Sequence, residues 1–161
     1  EQVIKINSWQ QKRITRIIVE KLFGTLTNKK VAIFGFSFKA NTNDTRESPA
    51  IQICKDLIEE GANLVIYDPK VNKEQIDYEF KSLNIINSKS SDYWESSNSV
   101  YEASQNTDAI VVMTEWDEFK HIDWTVISSN MRRPSWIFDT RNIIDKKLAI
   151  SSGLNFWAVG G

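Results

Sequence analysis

Two cations stand where a phosphate could be held. Lys39 and Arg46 lie within the stretch Gly35-Phe36-Ser37-Phe38-Lys39-Ala40-Asn41-Thr42-Asn43-Asp44-Thr45-Arg46-Glu47-Ser48-Pro49. This stretch leaves a short apolar run and ends in a helix start. Ser48 suits an N-cap, where a hydroxyl accepts from the first unsatisfied N–H groups, and Pro49 suits the first turn. Arg46 therefore stands just ahead of a helix N-terminus, whose free N–H groups and dipole favour anions. Two side-chain cations and a helix end make a phosphate site. The alternative is a solvated loop in which Lys39 and Arg46 pair with Asp44 and Glu47. Residue types alone leave both readings open.

The same segment departs from the glycine fingerprint of dinucleotide binding. Only Gly35 is present where three glycines would let the backbone approach a pyrophosphate. The connection runs to about a dozen residues where two to six are usual, and long loops in compact domains tend to be functional. Other chemistry-bearing residues read as packing or surface. Cys54 falls with Ala50, Leu57 and Gly61 on one side of a helix, beside Ile51 and Ile58, which predicts a buried, inert thiol. His121 follows Lys120 in a loop and reads as a surface residue. Asp68 ends an apolar run, where a dinucleotide fold holds a ribose hydroxyl; without the partner glycines, Asp68-Pro69 reads as a turn. Trp116 and Phe119 read as packing.

Composition narrows the classes. The chain has 161 residues, enough for one domain of average size and a short extension. Hydrophobic content of 41%, charged content of 25% and three prolines describe a globular protein. With 20 basic and 21 acidic residues, no electrostatic footprint points to nucleic acid or an anionic membrane. One cysteine excludes an intrachain disulfide framework and a cysteine zinc site, and one histidine excludes His-rich metal sites. No metal site is expected. The longest apolar runs fall far short of the ~20 residues of a membrane span. A start at Glu1 with no signal peptide is expected of a fragment from a longer, cytoplasmic protein.

Strands alternating with helices must position the loop. Val31-Ala32-Ile33-Phe34, Leu64-Val65-Ile66-Tyr67, Ala109-Ile110-Val111-Val112-Met113 and Trp136-Ile137-Phe138-Asp139 are short continuous apolar runs, as in strands buried on both faces of a parallel sheet. Phe156-Trp157-Ala158-Val159 reads as an edge strand. Helical patterns occupy residues 49–60, 100–105, 124–129 and 145–151. Ahead of them, residues 7–23 read as a helix with Ile14, Ile17, Ile18, Leu22 and Phe23 on one face. Residues 72–99 are rich in Ser, Asn and Lys and read as a loop-rich excursion around one strand near Leu83 to Ile86. The expected fold is α/β, a doubly wound Rossmann-like parallel sheet preceded by the end of a long helix.

The segment GFSFKANTNDTRESPA closely resembles the start of the C-terminal, UDP-binding domain of the UDP-glucose/GDP-mannose dehydrogenase family. The resemblance continues through Ile66-Tyr67-Asp68-Pro69-Lys70-Val71, Thr114-Glu115-Trp116-Asp117-Glu118-Phe119 and Ile137-Phe138-Asp139-Thr140-Arg141-Asn142. Asn7-Ser8-Trp9-Gln10 is similar to the end of the family's central helix. Coverage is nearly the whole chain. The resemblance implies that residues 1–27 end that central, dimerising helix, that residues 28–161 bind a UDP-sugar, and that an N-terminal NAD-binding domain lies outside this chain. It implies that Phe38 and Lys39 contact the nucleotide-sugar and that Arg141 binds the UDP-sugar, with Asp139 as an alternative structural partner. It implies that Arg46 reaches across the interdomain cleft to NAD.

For the complete protein, the resemblance implies oxidation of a sugar C6 alcohol to a carboxylate with two NAD+. A cysteine upstream of Glu1 would capture the aldehyde as a hemithioacetal, and water would hydrolyse the later thioester. Cys54 does not match that nucleophile, so this fragment alone is expected to be inactive. Expected partners are a UDP-sugar and a second copy, as homodimer or higher homo-oligomer. Asp44-Thr45-Arg46-Glu47 and Thr114-Glu115-Trp116 resemble the UDP-glucose branch; the alternatives are a GDP-mannose or UDP-N-acetylhexosamine enzyme, or a stand-alone UDP-binding regulator. A receiver-like switch is disfavoured, because the first strand exit carries Lys39 and Arg46 where that switch needs acidic residues.

Overall fold

The computed structural model describes residues 8–83 and 93–160. Among them, six parallel strands form one sheet: β1 (Lys30–Phe34), β2 (Asn63–Tyr67), β3 (Trp94–Ser96), β4 (Ala109–Val112), β5 (Trp136–Asp139) and β6 (Asn155–Ala158). Their spatial order is β3-β2-β1-β4-β5-β6, and every pairing is parallel. The doubly wound α/β expectation is met. The apolar runs are strands because both their faces are covered. Val31 and Ile33 of β1 join Leu64, Ile66, Ala109 and Val111 in one core, while Ala32 and Phe34 join Val65, Ile110 and Val112 in the other.

Helices divide between those faces. α1 (Ser8–Lys21), α2 (Pro49–Glu59) and α3 (Lys73–Ser82) cover the first core, contributing Ile14, Ile18, Ile53, Leu57, Ile76 and Phe80. α4 (Val100–Ala103), α5 (Trp124–Asn130) and α6 (Lys146–Ser151) cover the second, with a 3-10 helix at Asp117–His121. β1 and β4 are neighbours whose following helices lie on opposite faces. Ligands of open α/β sheets bind at such a switch point, outside the carboxyl ends of the strands.

Three expectations are corrected. Residues 72–99 are not chiefly a loop: α3 forms with Asn72 as N-cap, its Oδ1 accepting from Gln75 N at 2.9 Å. Only Ile76 and Phe80 of α3 are buried, too sparse a pattern to stand out in a polar stretch. The strand of this region is β3 at Trp94–Ser96, with only Trp94 buried. Leu83 caps α3, and the rest of the strand expected there, residues 84–86, lies outside the described residues. Phe23, expected on the buried face of α1, follows the end of the helix at a φ of 70° and is 74% exposed. Gly24 N instead closes the helix end, donating to Val19 O at 2.8 Å.

Candidate functional site

The loop after β1 is clasped at both ends. Gly35 turns the chain at a φ of 96°, its N–H donating to Tyr67 O at 2.7 Å. A Cβ at this position would stand 2.8 Å from the backbone nitrogen of Thr114, so only glycine passes the β4 exit. Thr114 Oγ1 donates to Ser37 O at 2.8 Å. At the far end, Ser48 caps α2 as expected, its Oγ accepting from Ala50 N at 3.2 Å and donating to Phe36 O at 2.8 Å. Phe36 anchors the loop in the core, fully buried and edge-on to Phe80 at 5.7 Å. α3 holds the middle: Gln75 Nε2 donates to Asn43 O at 2.6 Å, and Thr45 Oγ1 donates to the Glu79 carboxylate.

Lys39 and Arg46 both lie on this loop, and they differ. Arg46 is 86% exposed and grips Asp44: Nε donates to Oδ1 and Nη2 to Oδ2, each at 3.0 Å. The solvated pairing reading holds for this residue. Lys39 is exposed, and its ammonium makes no hydrogen bond or ion pair among the described residues, so its pairing with Asp44 or Glu47 does not form; only its carbonyl is engaged, accepting from Ser37 Oγ at 2.9 Å. Phe38 is half-buried between these loop segments, its N–H donating to Asp44 O at 2.7 Å.

The Arg46 guanidinium, with the Arg46 N–H, holds the Asp44 carboxyl at a pKa of about 2 against an ordinary 3.8. A depressed carboxyl favours the folded loop above the ordinary pKa and loses that preference as pH falls through about 2. Arg46→Ala removes the guanidinium and keeps the N–H, so the Asp44 midpoint is expected to rise from about 2 toward, without reaching, 3.8, as read by carboxyl-carbon NMR. A midpoint that stays near 2 would assign the depression elsewhere.

Arg141 sits at the exit of β5 with its side chain only 10% exposed. Asp139, fully buried, fixes the loop: Oδ1 accepts from Arg141 N at 3.0 Å, and Oδ2 from Ile143 N and Ile144 N at 2.9 and 2.8 Å. The alternative partnership with Asp139 thus involves the backbone of Arg141, not its guanidinium. The counter-charge comes from Glu115 of the β4 exit, whose Oε1 lies 2.9 Å from Arg141 Nη2. That oxygen is buried and accepts no aligned hydrogen bond, so the contact is one of charge and leaves the guanidinium N–H groups uncommitted to Glu115.

Asp68 was not legible as more than a turn. It is 7% exposed, and its Oδ2 accepts from Phe36 N, Ser37 N and Trp116 Nε1 at 2.7, 2.9 and 3.1 Å. Its Oδ1 accepts from Lys70 N and Val71 N at 2.8 and 3.1 Å. The position that serves a ribose in dinucleotide folds is thus fully occupied by protein. With a single glycine in the preceding turn as well, this switch point does not fit a nicotinamide dinucleotide of its own.

The remaining candidates match their bland readings. Cys54 is fully buried, and burial pushes its thiol far above the ordinary range, away from reactivity. His121 is 72% exposed beside Asp117. Trp116 and Phe119 are buried in the second core. Among the described residues, no helix is long and apolar enough to cross a membrane. Sequence reasoning read Asp68 as a turn and gave Glu115 no role of its own. An acid closing an apolar run, seen at both Asp68 and Asp139, was the available signal.

The carboxyl edge of the sheet therefore gathers Phe38, Lys39 and Arg46 from the β1 exit, Glu115 from the β4 exit and Arg141 from the β5 exit. Residues 32–146 match the family model described as UDP-glucose/GDP-mannose dehydrogenase family, UDP binding domain. The chain belongs to this family. Among curated members, it is similar to the UDP-glucose 6-dehydrogenase of Caenorhabditis elegans, 44% identical over 158 residues, covering 98% of this chain and 33% of that protein. The Drosophila melanogaster enzyme is 42% identical over 162 residues, covering 99% and 34%. A UDP-D-ManNAc dehydrogenase from Pyrococcus horikoshii matches in structure with a TM-score of 0.73 at 25% identity, over 96% of this chain and 32% of that one. The chain spans about a third of the length of the curated family members it matches.

Proposed function

We propose that this chain is the nucleotide-sugar-binding domain of an NAD-dependent UDP-glucose 6-dehydrogenase. Phe38, Lys39 and Arg141 would bind the UDP-sugar and Arg46 would face NAD held by residues outside this chain. The observation that carries the reading is Arg141, mostly buried at the carboxyl edge beside the switch point, with Lys39 unpaired on the neighbouring loop. A diphosphate needs fixed cations, and a guanidinium presents N–H groups in a fork that matches two phosphate oxygens. Arg46, exposed and held by Asp44, has its head at the surface, as contact with another domain requires.

In the whole protein, UDP-glucose, two NAD+ and water would give UDP-glucuronate and two NADH. The thiol nucleophile would come from outside this chain, since Cys54 is buried and its thiolate disfavoured. Residues 1–27 would end the helix that joins two copies, residues 28–161 would be the UDP-sugar domain, and the protein would work in the cytoplasm. Similarity to UDP-glucose enzymes at 42–44% identity favours that substrate over GDP-mannose or a UDP-N-acetylhexosamine.

The test follows NADH formation by the full-length parent protein with UDP-glucose, GDP-mannose and UDP-N-acetylglucosamine in parallel. Two NADH per UDP-glucose, weakened by charge removal at Lys39 or Arg141, is the expected result. Turnover of none of the three by the folded protein sinks the enzyme reading and leaves a UDP-binding module.

A further inference from the structure

We propose that Asp68 is a positioning residue for the sugar-nucleotide site, holding the β1 and β4 exit loops in register through its inward-turned carboxylate. The inference rests on the reading of Lys39 and Arg141 as substrate contacts. A carboxylate offers about four lone-pair positions on two oxygens. Five N–H groups already converge on Asp68, from Phe36, Ser37, Lys70, Val71 and the Trp116 indole. No acceptor position remains for a ribose hydroxyl, and the residue is 7% exposed.

What those donors belong to gives Asp68 its role. Phe36 and Ser37 immediately precede Phe38 and Lys39, and Trp116 immediately follows Glu115, the counter-charge of Arg141. One carboxylate at the end of β2 thus joins the two loops that flank the switch point. Charge-assisted hydrogen bonds to backbone N–H are short and directional, so they fix loop geometry and not merely proximity. An amide cannot replace it, because its NH2 group would face N–H donors. A binding group set loose by about an ångström loses much of its effect.

The experiment uses the full-length parent protein and titrates UDP and 2′-deoxy-UDP calorimetrically into the wild type, Asp68→Asn, Trp116→Phe, Lys39→Ala and Arg141→Ala. Asp68→Asn is expected to weaken UDP and 2′-deoxy-UDP by the same factor, about tenfold or more. It should raise KM for UDP-glucose likewise, with kcat within about twofold, the pattern of lost uniform binding. Trp116→Phe removes one donor and keeps an aromatic ring in the core, and should weaken UDP about threefold. If Asp68→Asn does not fold, Trp116→Phe decides alone.

Unaltered UDP affinity in the folded Asp68 variant, or in Trp116→Phe where that variant decides, overturns the proposal. So does a loss seen with UDP and absent with 2′-deoxy-UDP, which would put the ribose on Asp68. Should neither Lys39→Ala nor Arg141→Ala alter UDP affinity, the sugar-nucleotide reading fails first. Weakened binding in those two with Asp68→Asn and Trp116→Phe like wild type removes this inference and leaves that reading standing.

Discussion

Arg141→Ala in the parent protein is expected to weaken UDP binding about 100-fold, the largest functional effect available in this domain. The Arg141 side chain is only 10% exposed and lies in a loop fixed by three N–H bonds to Asp139. Truncating one partner of a desolvated, hydrogen-bonded charge pair costs about 2–5 kcal/mol, and each 1.4 kcal/mol is a factor of ten. Removing the cation also leaves Glu115 uncompensated beside the diphosphate, which adds repulsion to the lost attraction. Arg141→Lys keeps the charge and loses the planar fork, so an intermediate loss of about tenfold is expected. Calorimetric titration with UDP reads both. Arg132→Ala is the control, since Arg132 pairs with Asp108 where the chain enters β4, at the opposite edge of the sheet. Wild-type affinity in Arg141→Ala, or an equal loss in Arg132→Ala, would remove Arg141 from the site.

The largest effect on stability is expected from Gly35→Ala. A side chain at a φ of 96° costs about 1–3 kcal/mol by itself. Here the added Cβ also meets the Thr114 backbone at 2.8 Å, where no flexible side chain can yield. Overpacking of that kind adds about 1–3 kcal/mol. The sum, about 3 kcal/mol or more, should lower the melting temperature of a domain of this size by about 6 °C or more. Differential scanning calorimetry of the parent protein measures it. A melting temperature within about 2 °C of wild type would mean that the β1 and β4 exits separate easily. Since Thr114 also holds Ser37 O, UDP affinity should fall together with stability.

Much of the architecture was legible because it depends on local periodicity. Continuous apolar runs such as Val31–Phe34 and Ala109–Val112 can be satisfied only where both faces of a strand are covered, and that requirement implies helices on two sides. Ser48-Pro49 was legible as a helix start because capping involves only neighbouring residues. α3 escaped notice because two buried residues are enough once Phe80 has Phe36 and Trp94 to pack against, and that support comes from other elements.

Membership of the family followed from four motifs in order along the chain, and the sequence alone carried it. It also marked Lys39, Arg46 and Arg141 as the cations to watch. It did not decide their partners. Arg46 takes Asp44, two residues away, and local reasoning already included that pairing. Arg141 takes Glu115, which is remote in sequence and adjacent only because β4 and β5 are neighbours in the sheet. Asp68 turns inward because β2, β1 and β4 end side by side, which brings donors from three loops to one carboxylate. Periodicity and capping act over a few residues and are written in the chain; the pairing of charges across strand ends depends on strand order, and only the tertiary structure decided it.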